Sequence, residues 1–103
     1  MEKYKIVFLP SAEKELNAIC EHISLVLCAP TASNNFLIKL TECVENLVDF
    51  PFTGKKVEAP NLEFEFRRVL VDNYFVFYVV NEKLKTVTIM HVIYAKSDYF
   101  KNL

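Results

Sequence analysis

Residues 66–98 constrain this chain more than any other stretch. They hold three runs rich in Val, Ile, Phe, Tyr and Thr, separated by turn residues. The first is Phe66-Arg67-Arg68-Val69-Leu70-Val71. Asp72-Asn73 follows, then Tyr74-Phe75-Val76-Phe77-Tyr78-Val79-Val80, a polar turn, and Thr86 through Lys96. Such runs predict a three-stranded antiparallel meander. Asp-Asn suits a two-residue hairpin, because both residues tolerate positive φ. The second run is apolar on both faces, so it is expected to be the central strand, covered on both sides. The rest of the chain has to cover this sheet.

The 103 residues suffice for one domain with one core. The single glycine excludes a P-loop and a dinucleotide fingerprint, which need several glycines for close phosphate approach. Three cysteines, Cys20, Cys28 and Cys43, lack C-x-x-C spacing and read as small apolar residues in a reducing cytoplasm. Neither a disulfide framework, a metal site nor any cofactor is expected. No run reaches the length of a membrane span, and Lys3, Lys5 and Pro10 interrupt the only short apolar segment near the start. The net charge of −1 hides an asymmetry. Residues 1–50 carry four basic and seven acidic side chains, and residues 51–103 carry eight and six. A positive second half favours an anionic partner only weakly; nucleic-acid binders are far more basic.

Tyr4–Leu9 reads as a strand inserted into the sheet, ended by Pro10. Ser11 reads as the N-cap of an amphipathic helix over residues 11–27, with Ala12, Leu16, Ile19, Cys20, Ile23 and Val26/Leu27 as its apolar stripe. Cys28-Ala29-Pro30 breaks that helix, and Pro30 suits the first turn of a second one. The stripe Phe36, Leu40, Cys43, Val44, Leu47 places the second helix over residues 31–49. So short a connection predicts an antiparallel helical hairpin, the natural cover for one face of the sheet. An irregular connection with Pro51 and Gly54 then runs to about Glu65. The tail 97–103 reads as one helical turn at most. The expected fold is α+β: an N-terminal strand, a helical hairpin and a meander forming a mostly antiparallel, four-stranded sheet.

This order resembles the RelE/ParE superfamily of bacterial type II toxin–antitoxin toxins. The residues carrying the resemblance are Leu47, Pro51 and Gly54; then Phe66-Arg67, Tyr74 and Phe77-Tyr78; then Val87, Ile89, Val92 and Tyr94-Ala95-Lys96 with Asp98. The opening Phe8-Leu9-Pro10-Ser11-Ala12-Glu13-Lys14-Glu15-Leu16 also looks like that family's entry into its first helix. The resemblance spans the chain. It implies a cytoplasmic toxin held in check by a cognate antitoxin, through which the pair binds operator DNA. RelE-like members cut mRNA on the ribosome, whereas ParE-like members poison DNA gyrase.

Metal-free RNA cleavage needs a base for the 2′-hydroxyl, cations for the phosphorane-like charge and an acid for the leaving oxygen. RelE-like nucleases commonly carry arginine after the tyrosine at 74 and again after the last strand. Here those places hold Phe75 and Ser97. Arg67, Arg68, Tyr94 and Lys96 are what remain for a catalytic role, with His91 read as a hydrogen-bonded structural residue sharing a face with Ile89 and Ile93. Lys55, Lys56, Arg67, Asp98 and Tyr99 are the candidates for partner or target contact. The expected function is therefore a ParE-like toxin or one with a weakened catalytic site. An mRNA interferase and a non-toxic antitoxin-binding module are the alternatives.

Overall fold

The computed structural model describes residues 3–57 and 66–96. Among these residues are five strands, β1 (Lys5–Phe8), β2 (Lys55–Val57), β3 (Phe66–Val71), β4 (Tyr74–Asn81) and β5 (Thr86–Tyr94). They form one sheet in the order β1-β5-β4-β3-β2. Between β1 and β2 lie α1 (Pro10–Glu21), a π-helical turn (His22–Val26) and α2 (Pro30–Asp49). The α+β class holds, and the pairing is mostly antiparallel, with β1 parallel to β5.

The sheet has five strands where four were expected. Part of the presumed irregular connection is β2, whose Lys55, Lys56 and Val57 pair with Arg68, Arg67 and Phe66. Three residues with two lysines carry little strand signal, and the pairing follows from the proximity of β3. The rest of that connection, and the expected helical turn of the tail, lie outside the described residues.

β4 is the middle strand. One of its faces places Val76 and Tyr78 in a core completed by Val87, Ile89 and Val92 of β5 and by Ala12, Ile23, Phe36, Leu40 and Leu47 of the helical layer. Each fully buried large side chain here contributes about 1.5–3 kcal/mol. On the other face Phe77 is also buried, as a strand apolar on both sides requires. The turn between β3 and β4 uses a single left-handed residue, Asp72 at φ 53°. Lys39 of α2 ties that turn to the helix through a 2.9 Å ion pair with Asp72.

Three local expectations fail for identifiable reasons. Among the described residues β1 is an edge strand rather than an inserted one, because there it pairs only with β5. Ser11 does not cap α1: the helix starts at Pro10 after Leu9, and the Ser11 hydroxyl donates to the Met90 carbonyl at 3.0 Å. The first helix does not continue regularly to residue 27. A π turn replaces its last turn, Leu27 N–H bonds back to His22 at 3.0 Å, and Val26 and Leu27 leave the core for solvent.

β5 carries a bulge. Tyr78 pairs with Ile89 but Phe77 pairs with His91, so Met90 and His91 together face one residue of β4. The extra residue breaks the alternation, and His91 does not share a face with Ile89 as strict period two would require. Beyond Phe8 the chain leaves β1 for α1, so on the side away from β4 this part of β5 has no neighbouring strand among the described residues. The helix takes the strand's place: the Ser11 hydroxyl donates to the Met90 carbonyl, and Glu15 Oε1 accepts from Val92 N–H at 3.2 Å.

Candidate functional site

Pro51, buried, and Gly54 shape the turn that leads from α2 into β2. Thr53 closes it by donating its N–H and hydroxyl to the Phe50 carbonyl at 3.2 and 2.7 Å. Gly54 then packs directly on Tyr78, whose hydroxyl accepts the Gly54 N–H at 2.8 Å. A Cβ at position 54 would fall on that hydroxyl and within 2.8 Å of the Arg68 carbonyl oxygen. The chain's one glycine is needed for close approach.

Arg67 locks the same turn. Its Nη1 donates to the Gly54 carbonyl at 2.8 Å and to the Phe52 carbonyl at 3.2 Å. Its guanidinium lies 5.1 Å from the centre of the Phe52 ring, and Phe52 meets Tyr4 edge-on at 6.4 Å. Lys85 sits over the far side of this chain of rings, 5.3 Å from the Tyr4 centroid. Burial pushes the Tyr78 phenol up, while the Gly54 N–H and the nearby Arg67 charge pull it back.

Arg68 serves the opposite face. Its guanidinium lies 4.4 Å from the centre of the Phe75 ring, which in turn packs against Phe77 at 6.0 Å. Strand pairing links Lys55 to Arg68, Arg68 to Phe77 and Phe77 to His91, so these four occupy one row across the sheet. His91 Nδ1 lies 3.1 Å from the Glu15 carboxylate.

Tyr94 is at the other end. It is partly exposed and stacks edge-on with Tyr74 at 5.5 Å, and Tyr74 packs on Phe36 at 5.0 Å. Burial first, then the neighbouring Tyr94 and Cys20, push the Tyr74 phenol up. Lys96 is exposed, just past a bond from Ala95 N–H to the Asn73 carbonyl at 2.8 Å.

The four candidate catalytic residues are thus split, Arg67 and Arg68 on opposite faces of β3 and Tyr94 and Lys96 at the far end of β5. Arg67 pairs with Tyr78 and Tyr94 with Tyr74, four residues apart along β4, or about 13 Å. Arg68 points to the face opposite Arg67. The sheet does bring the basic candidates into pairs, Lys55 with Arg68 and Lys56 with Arg67. Asp98 and Tyr99 lie outside the described residues. Among the described residues no group of three His, Cys, Asp or Glu could hold a metal ion, and no helix is long and apolar enough to cross a membrane.

Sequence reasoning missed two participants. Glu15 read only as part of the entry into the first helix and instead serves the bulge in β5; nothing local signals a partner 76 positions away. Phe52 read as loop, although a lone glycine two places on was a signal for close packing.

Residues 6–99 match the family model of the ParE toxin of the type II toxin–antitoxin system parDE. The chain belongs to the ParE toxin family. It is a toxin of the type II toxin–antitoxin class. The fold is similar to that in the chromosomal ParDE system from P. aeruginosa, with a TM-score of 0.71 and 19% identity over 91% of this chain and 98% of that one. It is also similar to the toxin–antitoxin complex RelBE2 from Mycobacterium tuberculosis (TM-score 0.60, 17% identity, 89% and 98% covered). The archaeal RelE–RelB complex from Pyrococcus horikoshii OT3 gives 0.57 at 19% identity, with 91% and 97% covered. At these identities the likeness is one of fold. A search of curated proteins finds no match.

Proposed function

We propose that this ParE-family toxin acts by binding a protein target, DNA gyrase, and not by cutting RNA. One observation carries the reading. At the position where RelE-like nucleases commonly hold a catalytic arginine stands Phe75, and the neighbouring cation, Arg68, is laid over its ring. A phosphorane-like transition state needs cations aimed at its developing charge, each worth about 3 kcal/mol by analogy with oxyanion-hole donors. Arg68 is stacked, Arg67 is directed at two backbone carbonyls, and Tyr94 is at the far end of the sheet. That arrangement suits a surface of fixed shape better than a reaction centre.

The partner is a cognate antitoxin, and the pair works in the cytoplasm, reaching operator DNA through the antitoxin. Lys55, Lys56 and Lys96, all exposed, are the contact residues on this chain, together with Asp98 and Tyr99. Arg67 contributes by holding Phe52 and the turn in place.

Controlled expression, followed by mRNA-end mapping and a supercoiling assay with purified gyrase, tests this. Inhibited supercoiling with intact message is the expected result. Message cut within codons while gyrase keeps its activity overturns it.

A further inference from the structure

Lys55 of β2 and Arg68 of β3 stand directly opposite one another, about 5 Å apart at their Cα atoms. Like charges so placed repel and weaken a strand pair. β2 has only three residues, so it has little ladder with which to absorb that cost. The next pair along, Lys56 with Arg67, repeats the juxtaposition, but there Arg67 is committed to the Gly54 and Phe52 carbonyls. Lys55 and Arg68 are not so engaged. Among the described residues neither makes a hydrogen bond or an ion pair, and the contact that Arg68 does make is with the Phe75 ring. At the far end of the same row the Glu15 carboxylate is taken up by His91 and the Val92 N–H, so it does not supply the counter-charge.

The stack on Phe75 holds the Arg68 guanidinium on the sheet face away from the helices and leaves the N–H donors at its rim for a ligand. A planar fork of donors matches a carboxylate bidentately, and a lysine beside it adds a second charge-assisted bond. Two residues on along β3, about 7 Å away on the same face, Leu70 is 59% exposed and lies opposite Phe75. The patch thus offers two cations and an apolar ledge. Nucleic acid fits it poorly. Single strands stack their bases on open aromatic faces, whereas here Phe75 carries Arg68 on its ring and Phe77 is 3% exposed. A net charge of −1 is also far from the basic balance of a nucleic-acid binder. An acidic polypeptide with an apolar side chain beside its carboxylate complements both halves of the patch.

We propose that Lys55 and Arg68 together receive a carboxylate side chain of the cognate antitoxin, with an apolar residue of the same segment resting on Leu70. Bound in this way, the antitoxin supplies the counter-charge that the β2–β3 pair lacks and so steadies the short edge strand. The assignment rests on the antitoxin as partner, and it holds whichever target the free toxin attacks.

Titration calorimetry of the purified cognate antitoxin against the full chain tests this, with thermal unfolding to confirm that each variant is folded. Arg68→Glu and Lys55→Glu should each weaken binding about tenfold or more. Arg68→Met, which keeps the length of the stem and loses the charge, should weaken it less than Arg68→Glu and make the affinity less sensitive to salt. Arg68→Met that binds as tightly as wild type, with the same salt dependence, overturns the carboxylate contact. So does a single-stranded RNA oligonucleotide that wild type binds and Arg68→Glu does not, while antitoxin affinity is unchanged. A wild-type chain that does not bind the antitoxin overturns the partner reading and this contact together, whereas wild-type binding that both glutamate variants retain overturns this contact alone.

Discussion

The Tyr78 hydroxyl accepts the Gly54 N–H at 2.8 Å, joining the middle of the sheet to the turn that feeds its edge strand. Both partners are buried, so each is costly to disappoint. Tyr78→Phe leaves the Gly54 N–H without this acceptor and should cost about 1–3 kcal/mol. Gly54→Ala drives a methyl against the same hydroxyl and should cost about 1–3 kcal/mol by overpacking. The two are not independent. In the Tyr78→Phe background the alanine loses its collision with the hydroxyl and keeps those with the Arg68 carbonyl and with the ring at position 78. The second substitution should therefore cost less than it does alone, though not nothing. Urea unfolding of the four proteins measures this, and strict additivity would refute the close-approach account of Gly54.

The same phenol sets a pH dependence. Burial raises the Tyr78 pKa above its ordinary value of 10.0, and burial also raises Tyr74. A raised phenol is held neutral in the folded chain. Below pH 10 both folded and unfolded chains keep the proton, so this stabilisation is complete. Above 10 the unfolded chain releases its proton first, and stability falls as pH rises through the folded value. Cys43, raised by burial from 9.0, adds a component of the same sign that starts lower. Denaturant midpoints measured from pH 8 upward should decline. The decline above 10 should be shallower in Tyr74→Phe, and that between 9 and 10 shallower in Cys43→Ala. Slopes that these substitutions leave unchanged would rule the groups out.

What was legible in the sequence follows from how far each cue reaches. The meander, the apolar stripe of α2, that of the first helix as far as Ile23, and the turn at Asp72 rest on local periodicity and turn chemistry, and they fold as read. The bulge in β5 was hidden because one extra residue leaves composition untouched and shifts only the alternation, so His91 shares a face with Ile93 as read but not with Ile89. β2 was hidden because its pairing depends on β3. The π turn was hidden because Val26 and Leu27 satisfy the helical stripe on paper. At the site, the family resemblance pointed to Arg67 and Arg68, but residue type alone could not say that one would clamp a turn and the other stack on Phe75.

Those neighbouring arginines should separate in experiment. Arg68 makes a partly exposed cation–π contact with Phe75, a contact worth about 0.5–1 kcal/mol, so Arg68→Ala should lower stability by no more than that. Arg67 donates to two backbone carbonyls, and hydrogen bonds from a charged donor contribute about 1.5–3 kcal/mol each. Arg67→Ala should therefore cost about 2–4 kcal/mol, while Arg67→Lys, which cannot fork between two acceptors in the same plane, should recover only part. Thermal unfolding of the three variants gives the order. Equal losses at 67 and 68 would mean that the turn is held by something other than Arg67.

Glu15 offers the last test, because it stands where a strand neighbour of β5 would be. Its Oε1 accepts the Val92 N–H at 3.2 Å and lies 3.1 Å from His91 Nδ1. Val92 is almost fully buried, so its amide has no easy access to water. Glu15→Ala removes the acceptor and should cost about 1–3 kcal/mol. Glu15→Gln keeps an amide oxygen that can accept the same N–H, so its loss should be smaller. Hydrogen exchange distinguishes a local effect from a global one. In Glu15→Ala the Val92 amide should exchange faster relative to Val76, which lies opposite it on β4 and is bonded within the sheet. Uniform acceleration of both amides would mean that Glu15 stabilises the fold without guarding that edge.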